Sequence, residues 1–284
     1  MGVAAFVLWG LLPLYWKLVK AISPYQIFAQ RVVWSFLFVM IILAVRELLP
    51  KYKEIISTPK NWINIMGPAF FISINWLLYI WAVNNDYVIE SSLGYFINPL
   101  VLTVFGAVFY KERLTKLQTI GITLATTGVL MKSLYYGQVP YIALVLAFSF
   151  AMYGLLKKKS TLDSLNGLAF ETLVIGVPAL GYIIWAETQN IGISGNLPWH
   201  FWLLIAFSGI ATATPLLLYA EGTKRLPLSV VGFLQYIAPT IMLFLGVVVF
   251  GEPFEQSDLI PFVMIWIGLI FFSYSQYQLL SQKK

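Results

Sequence analysis

Cysteine is absent from the 284 residues, and histidine occurs once, as His200. Without thiolates the chain can form no disulfide and no cysteine-ligated metal site. A single imidazole also excludes a multi-histidine metal centre. The sequence has no Gly-x-x-x-x-Gly-Lys-Ser/Thr phosphate-binding loop either, which argues against an ATP-driven pump. We therefore expect a protein that works without a metal or a cofactor.

Charged side chains are scarce as well. Only 11% of the residues are charged, whereas 60% are apolar. An ordinary soluble domain has about 25% charged and roughly 45–50% apolar residues. Because so little charge cannot cover a water-exposed surface, the lipid bilayer must be the main solvent. The pI of 9.3 comes from short basic clusters between apolar runs, a pattern typical of membrane proteins rather than of nucleic-acid binders.

The apolar runs are long enough to cross about 30 Å of hydrocarbon as helices. The sequence thus predicts an all-α membrane protein with ten transmembrane helices. They lie near residues 2–20, 24–45, 62–83, 89–110, 117–135, 140–156, 166–186, 200–222, 228–249 and 258–277.

The basic residues predict the orientation of these helices. Ten spans place both termini on one side, and fourteen of the eighteen Lys and Arg residues fall on that side. Only Lys17, Lys20 and Lys132 fall on the other, while Arg31 lies within a span. Since loops rich in Lys and Arg stay inside, both termini are predicted to be cytoplasmic.

The chain contains an internal repeat at a constant offset of 140 residues. The matched pairs include Tyr79 and Tyr219, Pro99 and Pro239, Gly106 and Gly246, Glu112 and Glu252, and Gly128 and Gly268. Apolar helices align easily by chance, but Pro, Gly and Glu at one fixed offset favour true duplication. Residues 1–135 and 141–277 are therefore predicted to be two five-helix units. Because five is odd, the second unit must be inverted, as in many secondary transporters.

Several segments carry a family resemblance. These are Asn75–Asn85 and Gly94–Leu100 in the first predicted unit, and Tyr153–Lys157 at the start of the second. Further along the second unit they are Thr214–Leu218 and Gly232–Pro239. They resemble the RarD-type permeases of the EamA family, within the drug/metabolite transporter superfamily. The resemblance implies two EamA repeats with ten helices, the bacterial inner membrane, and transport of small organic molecules.

Two charged residues lie inside predicted spans and are related by the same offset. Arg31 is seven residues beyond Pro24, and its counterpart is Glu171. A charge within the membrane is costly and indicates a function by default. Arg31 is predicted to bind an anionic group of the substrate, and Glu171 to carry a proton or bind a cation. Alternatively, Arg31 reaches out to the lipid headgroups and Glu171 is paired near the inner interface.

Hydrogen-bonding side chains near the matched prolines predict the solute cavity. A proline removes a helix hydrogen bond, and interrupted helices at equivalent positions point to a transporter's binding site. The predicted cavity residues are Asn75, Tyr79, Tyr95, Asn98, Tyr219, Gln235 and Tyr236. Alternatively, these polar groups tie helices together. The aromatic residues within spans could pack the helices, line an apolar pocket or stack on a cation.

These features predict a secondary transporter that moves a small organic metabolite or drug-like solute by alternating access. It would be driven by a proton gradient or act as a facilitator, and a homodimer is compatible with the sequence. The alternative is a membrane-embedded enzyme acting on a lipid-like substrate. Such enzymes use clustered Asp, Glu or His residues, and the nearest approach to a cluster is Asp86 with Glu90.

Overall fold

The computed structural model describes residues 2–111, 114–135, 137–159, 162–194, 196–225 and 234–281. Within these ranges the chain is helical and contains no β-strand, which confirms the all-α prediction. The helices are α1 (Gly2–Leu18), α2 (Pro24–Val45), α3 (Leu49–Ser57), α4 (Pro59–Asn84), α5 (Val88–Tyr110), α6 (Lys116–Leu130), α7 (Tyr141–Lys159), α8 (Ser164–Thr188), α9 (His200–Arg225), α10 (Ile237–Phe244) and α11 (Gln256–Ser281). Helices α6 and α10 continue into π-helical turns at Met131–Tyr135 and Leu245–Val249.

Six of the described helices are long and apolar enough to cross a bilayer. These segments are Pro24–Val45, Pro59–Asn84, Val88–Phe109, Ser164–Thr188, His200–Tyr219 and Gln256–Leu279. Shorter apolar helices cover Val3–Leu18, Tyr141–Lys157 and Ile237–Val249. The chain is therefore built as a multi-span membrane protein.

Helix α3 was not predicted. It has nine residues, with Tyr52 and Ile55 buried and Lys51 and Lys53 exposed. It packs against α2 and α4, and the Tyr52 hydroxyl donates to the Ala169 carbonyl at 3.4 Å. This short amphipathic helix lies along the end of the bundle instead of crossing it. A search for long apolar runs therefore does not detect it.

Helices from the first half of the chain pack against helices from the second half. Helix α2 packs against α8 and α9, and α7 packs against α4 and α5. Helix α1 packs against α9 and α10, and α6 packs against α11. At Gly209 of α9 an added Cβ would lie 2.4 Å from the Trp34 carbonyl oxygen of α2. Because only glycine fits there, the backbones of α2 and α9 approach closely at this point.

Ionic and polar contacts join the helix ends into two groups. At the "Asp86 end", Lys17 of α1 pairs with Asp86, in the turn between α4 and α5. There the Glu252 carboxylate also accepts hydrogen bonds from the Val88 and Ile89 amides, at 2.9 Å each, and so caps α5. The hydrogen bond from Lys17 holds the pKa of Asp86 below its ordinary value.

The opposite end of the helix bundle, where α8 begins, is called the "Asp163 end". Asp163 caps α8 by accepting from the Asn166 amide at 3.0 Å, and it pairs with Lys51 at 3.1 Å. Partial burial alone would raise the pKa of Asp163, but the hydrogen bonds from Asn166 and Lys51 outweigh this effect and lower it to about 2.

The region around Pro239 differs from the prediction. A helix was expected over residues 228–249, of which 228–233 lie outside the described residues. The described helix α10 begins only at Ile237, so Pro239 lies in its first turn. A proline there removes no hydrogen bond, since the first amides of a helix have no partner. Pro99, in contrast, lies inside α5 as expected. Glu112, matched with Glu252 in the repeat, also lies outside the described residues.

Candidate functional site

Arg31 lies in the interior of the helix bundle. It is 4% exposed, and its Nε donates to the Thr212 hydroxyl of α9 at 2.7 Å. The close approach of α2 and α9 at Gly209 brings these two side chains together. The guanidinium therefore does not reach out to a headgroup layer, which was the alternative to a functional role.

Two tryptophans flank the guanidinium. Arg31 Cζ lies 5.0 Å from the ring centroid of Trp16 in α1 and 4.5 Å from that of Trp76 in α4. Both distances are within the range of a cation–π interaction. One role considered for the aromatic residues within spans was to stack on a cation. At Trp16 and Trp76 that cation is the guanidinium of Arg31, a group of the protein itself.

Among the described residues no carboxylate forms an ion pair with Arg31. Arg31 Nη1, Trp16 Nε1 and the Tyr79 hydroxyl are buried, and none of the three has a hydrogen-bond partner in the described structure. Leaving a charge buried and uncompensated costs several kcal/mol. We call Trp16, Arg31, Trp76, Tyr79 and Thr212 the "Arg31 site". Its unsatisfied groups require an explanation.

The predicted amides lie beside this site in a hydrogen-bonded chain. The Tyr95 hydroxyl donates to Asn75 Oδ1 at 3.3 Å, while Asn75 Nδ2 donates to the Leu146 carbonyl at 3.0 Å and to the Ser149 hydroxyl at 3.1 Å. This chain connects α5, α4 and α7. The Asn75 amide thus already ties helices together, the alternative role considered for it.

A second amide pair lies on α5 and just before α10. Asn98 Nδ2 donates to the Ala147 carbonyl at 3.2 Å, and Gln235 Nε2 donates to Asn98 Oδ1 at 3.3 Å. The structure therefore brings Asn98 and Gln235 into direct contact.

Tyr219 and Tyr236 lie elsewhere. Tyr219 packs against Phe6 and Trp9, with ring centroids 5.7 and 5.5 Å apart. Tyr236 stacks on Phe96 at 6.4 Å and lines an open groove of about 470 Å³ with Trp266 and other residues of α11. Neither tyrosine is among the side chains found around Arg31, so the predicted cavity residues do not form one cluster.

Glu171 is paired. Its side chain is 1% exposed and lies 2.7 Å from Lys157 Nζ, and it accepts a hydrogen bond from the Tyr153 hydroxyl at 3.1 Å. Glu171 is seven residues beyond the start of α8, at the Asp163 end, whereas Arg31 is seven residues beyond the start of α2, at the opposite end. The two charges therefore do not pair with each other.

Five side chains described above were not predicted as site residues: Trp16, Trp76, Thr212, Lys157 and Glu252. Thr212 is 181 positions from Arg31, and Lys157 is 14 positions from Glu171. Neither spacing matches the one-turn spacing that links side chains within a helix. Lys17 and Lys157 also match at the 140-residue offset, but this match does not indicate that Lys157 pairs with Glu171.

The described residues include no group of three or more His, Cys, Asp or Glu side chains that could hold a metal ion. What the interior offers instead is a buried cation, aromatic faces and hydrogen-bond donors. Such a site can bind a small solute but supplies no evident nucleophile or acid–base pair.

Comparison with known proteins identifies the family. The model of the EamA-like transporter family matches twice, over residues 1–134 and 140–274. The chain is 46% identical to "Uncharacterized transporter YojE" of Bacillus subtilis strain 168, over 96% of this chain and 92% of that protein. It is 39% identical to "Protein RarD" of Escherichia coli K12, over 96% and 92%.

A solved crystal structure of another protein aligns with a TM-score of 0.61 at 20% identity, over 95% of each chain, so the two share a fold. Apolar helices, the repeated family match and the full-length relatives agree with one another. The chain belongs to the EamA-like transporter family, in its RarD-type branch, and is a multi-pass transporter of the bacterial inner membrane.

Proposed function

We propose that the protein is a secondary transporter that moves a small organic solute by alternating access of two inverted five-helix repeats. The repeats are residues 1–135 and 141–277. The ten spans are α1, α2 and α4 to α11, with α3 lying along the Asp163 end. The Asp163 end, where α1 begins and α11 ends, faces the cytoplasm, as the distribution of basic residues predicts for both termini.

The packing of the helices supports the repeat. At the 140-residue offset, α1 corresponds to α7, α2 to α8, α4 to α9, and α6 to α11. Helix α1 packs against α9, and α7 packs against α4, so exchanging the halves maps one contact onto the other. The contacts of α2 with α8 and of α6 with α11 map onto themselves. Two halves related by a two-fold axis have this pattern, and the family model also matches each half separately.

The Arg31 site is the observation that carries the assignment of a solute site. It combines a buried charge lacking a carboxylate partner with donors lacking acceptors, all between helices of both halves. Natural proteins keep such unsatisfied groups in the membrane interior where they serve transport or binding. The site lies nearer to the Asp86 end of the bundle than to the Asp163 end. Opening the contact of Lys17 with Asp86 would therefore admit solute to it.

Reconstituted transport tests this proposal. The purified protein in liposomes should move at least one solute of a broad metabolite panel faster than protein-free liposomes do. Tyr79→Phe removes one unsatisfied hydroxyl and should slow that transport roughly fivefold. Tyr141→Phe is the matched control, because Tyr141 is 53% exposed, and it should leave the rate unchanged. If no solute of the panel moves or stabilises the protein against heat, the proposal is wrong.

Glu171 is the proposed site of proton coupling. Its carboxylate is shared between Lys157 and Tyr153, so protonating it would release Lys157 and free α7 from α8. Transport should then accelerate in the presence of a proton gradient, and Glu171→Gln should remove that acceleration. A wild-type rate that does not depend on the gradient would make the protein a facilitator.

The enzyme alternative has no observation in its favour. Asp86 pairs with Lys17 and also lies 3.6 Å from Lys20, while Glu90 accepts from the Ile142 amide at 3.0 Å. Both carboxylates thus already hold helix ends together. The relatives are named as transporters, which agrees with a role other than catalysis.

A further inference from the structure

The Arg31 site contains an excess of hydrogen-bond donors. Arg31 Nη1, Trp16 Nε1 and the Tyr79 hydroxyl are buried without a partner among the described residues. A guanidinium and an indole N–H can only donate, and a phenol can donate as well as accept. The group that completes this site must therefore be an acceptor with several lone pairs.

The nearby phenols do not compensate the charge of Arg31. Tyr15, Tyr79 and Tyr95 are the tyrosines close enough to interact electrostatically with the guanidinium. The Tyr15 hydroxyl donates to the Leu204 carbonyl, and the Tyr95 hydroxyl donates to Asn75. Because the Tyr15 and Tyr95 hydroxyl protons already form hydrogen bonds, these two phenols stay neutral. No carboxylate forms an ion pair with Arg31 in the described structure, so the site keeps a net positive charge.

A cationic solute does not fit the site. The faces of Trp16 and Trp76 are already occupied by the guanidinium. A second cation would find no free aromatic face between them and would be repelled by Arg31. An ammonium group has only donors, so it would leave Arg31 Nη1 and Trp16 Nε1 without an acceptor.

We propose that the transported solute is an organic anion with a single carboxylate, bound by Arg31 Nη1 and the Tyr79 hydroxyl beside the Trp16 indole. This inference rests on the proposed transport function and names the substrate class of that site. Thr212 holds the guanidinium through Nε, and the two indoles fix its plane, so the site is organised before the anion arrives. A carboxylate supplies up to four lone-pair directions, enough for all three donors.

The experiment compares solutes that differ only in charge. The wild-type protein in neutral phosphatidylcholine nanodiscs is titrated with acetate, hexanoate and benzoate, each beside its amide and its amine. Tryptophan fluorescence and thermal stabilisation report binding. At least one carboxylate should bind roughly ten- to a hundredfold more tightly than its amide, and no amine should bind more tightly than its amide. Equal affinity of the carboxylates and their amides would overturn the proposal.

Variants of Arg31 assign that preference to the site. Arg31→Gln should abolish the difference between the carboxylate and the amide, whereas Arg46→Gln, at the exposed end of α2, should leave it intact. Arg31→Lys keeps the charge as a point donor, so it should retain the preference with weaker affinity. If Arg31→Gln does not fold, the wild-type selectivity and Arg31→Lys still decide the question. A preference that survives Arg31→Gln overturns the proposal.

Two further outcomes separate this proposal from the transport function. Arg31-independent transport of neutral or cationic solutes would overturn the anion assignment and leave the transporter standing. The absence of binding and transport for every solute would overturn both.

Nanodiscs containing phosphatidylglycerol test the other source of an anion. If stabilisation follows this lipid and soluble carboxylates do not displace it, Arg31 binds a headgroup and the solute proposal is wrong.

Discussion

Arg31 and Glu171 occupy the same position in the two halves of the chain, 140 residues apart, and differ in how their charges are satisfied. Glu171 has Lys157 at 2.7 Å and a hydrogen bond from Tyr153, whereas Arg31 has one hydrogen bond and two aromatic faces but no carboxylate partner in the described structure. A paired buried charge holds helices together. An unpaired one lowers stability and keeps an interaction available for a ligand.

The largest effect is expected at the paired charge. Lys157→Met would leave Glu171 buried without its cation, which should lower the free energy of unfolding by about 3 kcal/mol. Thermal unfolding in detergent measures this loss. Adding Glu171→Gln should recover much of it, since the double variant buries no charge. An unchanged melting temperature for Lys157→Met would mean that the pair contributes nothing.

The contact that positions Arg31 against Thr212 is expected to rank second. In Gly209→Ala the new methyl group would lie 2.4 Å from the Trp34 carbonyl oxygen, so α2 and α9 must separate, at a cost of about 2 kcal/mol. Gly181→Ala in α8 is the control, because nothing lies within 4 Å of its Cβ. We expect that control to be neutral or slightly stabilising in the same unfolding measurement. Equal effects at the two glycines would contradict the close approach.

Removing the unpaired charge is expected to have the opposite sign. Arg31→Met should abolish transport yet raise the free energy of unfolding by about 1 kcal/mol, because an uncompensated buried cation is replaced by an apolar side chain of similar length. Transport in liposomes and thermal unfolding should be measured on the same preparation. If Arg31→Met destabilised the protein as much as Lys157→Met does, Arg31 would be structural.

The smallest effect is expected at the exposed pair of Lys51 and Asp163. Asp163→Asn keeps an N-cap group but loses the charge, and solvent screening limits the loss to about 0.5 kcal/mol. Since folding lowers the pKa of Asp163 from 3.8 to about 2, its contribution is complete above pH 4 and disappears as the pH falls towards 2. Unfolding of the wild type and the variant, compared at pH 6 and pH 2.5, should show a clearly smaller difference at pH 2.5. A constant difference would point to the cap instead.

The bounds of α2 could be predicted closely from the sequence. Its apolar run is a local signal, and the structure has the helix at Pro24–Val45, with Ser23 as its N-cap and Pro24 in its first turn. The scarcity of charge likewise predicted a membrane protein, and the quoted segments predicted the family. Helix α3 could not be found this way, because nine residues with two buried side chains carry too weak a periodic signal.

The candidate site could be predicted only in part. A charge inside an apolar run drew attention to Arg31, but its partners Trp16, Trp76 and Thr212 lie on three other helices. Which of them meet depends on how the helices cross, and no local pattern records that. The roles of Asn75 and Asn98 were open for the same reason. An interior amide can form hydrogen bonds with a neighbouring helix as well as with a solute. Both amides donate to carbonyl groups of α7.

The unequal pairing of Arg31 and Glu171 also has an electrical consequence. In the proposed transport cycle Glu171 is neutralised by Lys157, so the empty Arg31 site has one net positive charge, which a bound monoanion cancels. A charge crossing the full membrane field gains about 2.3 kcal/mol per 100 mV. The membrane voltage therefore acts on the return of the empty site and hardly at all on the loaded one. We therefore expect an inside-negative voltage to draw the empty site towards the cytoplasm, where it would be filled, and so to favour export of the proposed anion.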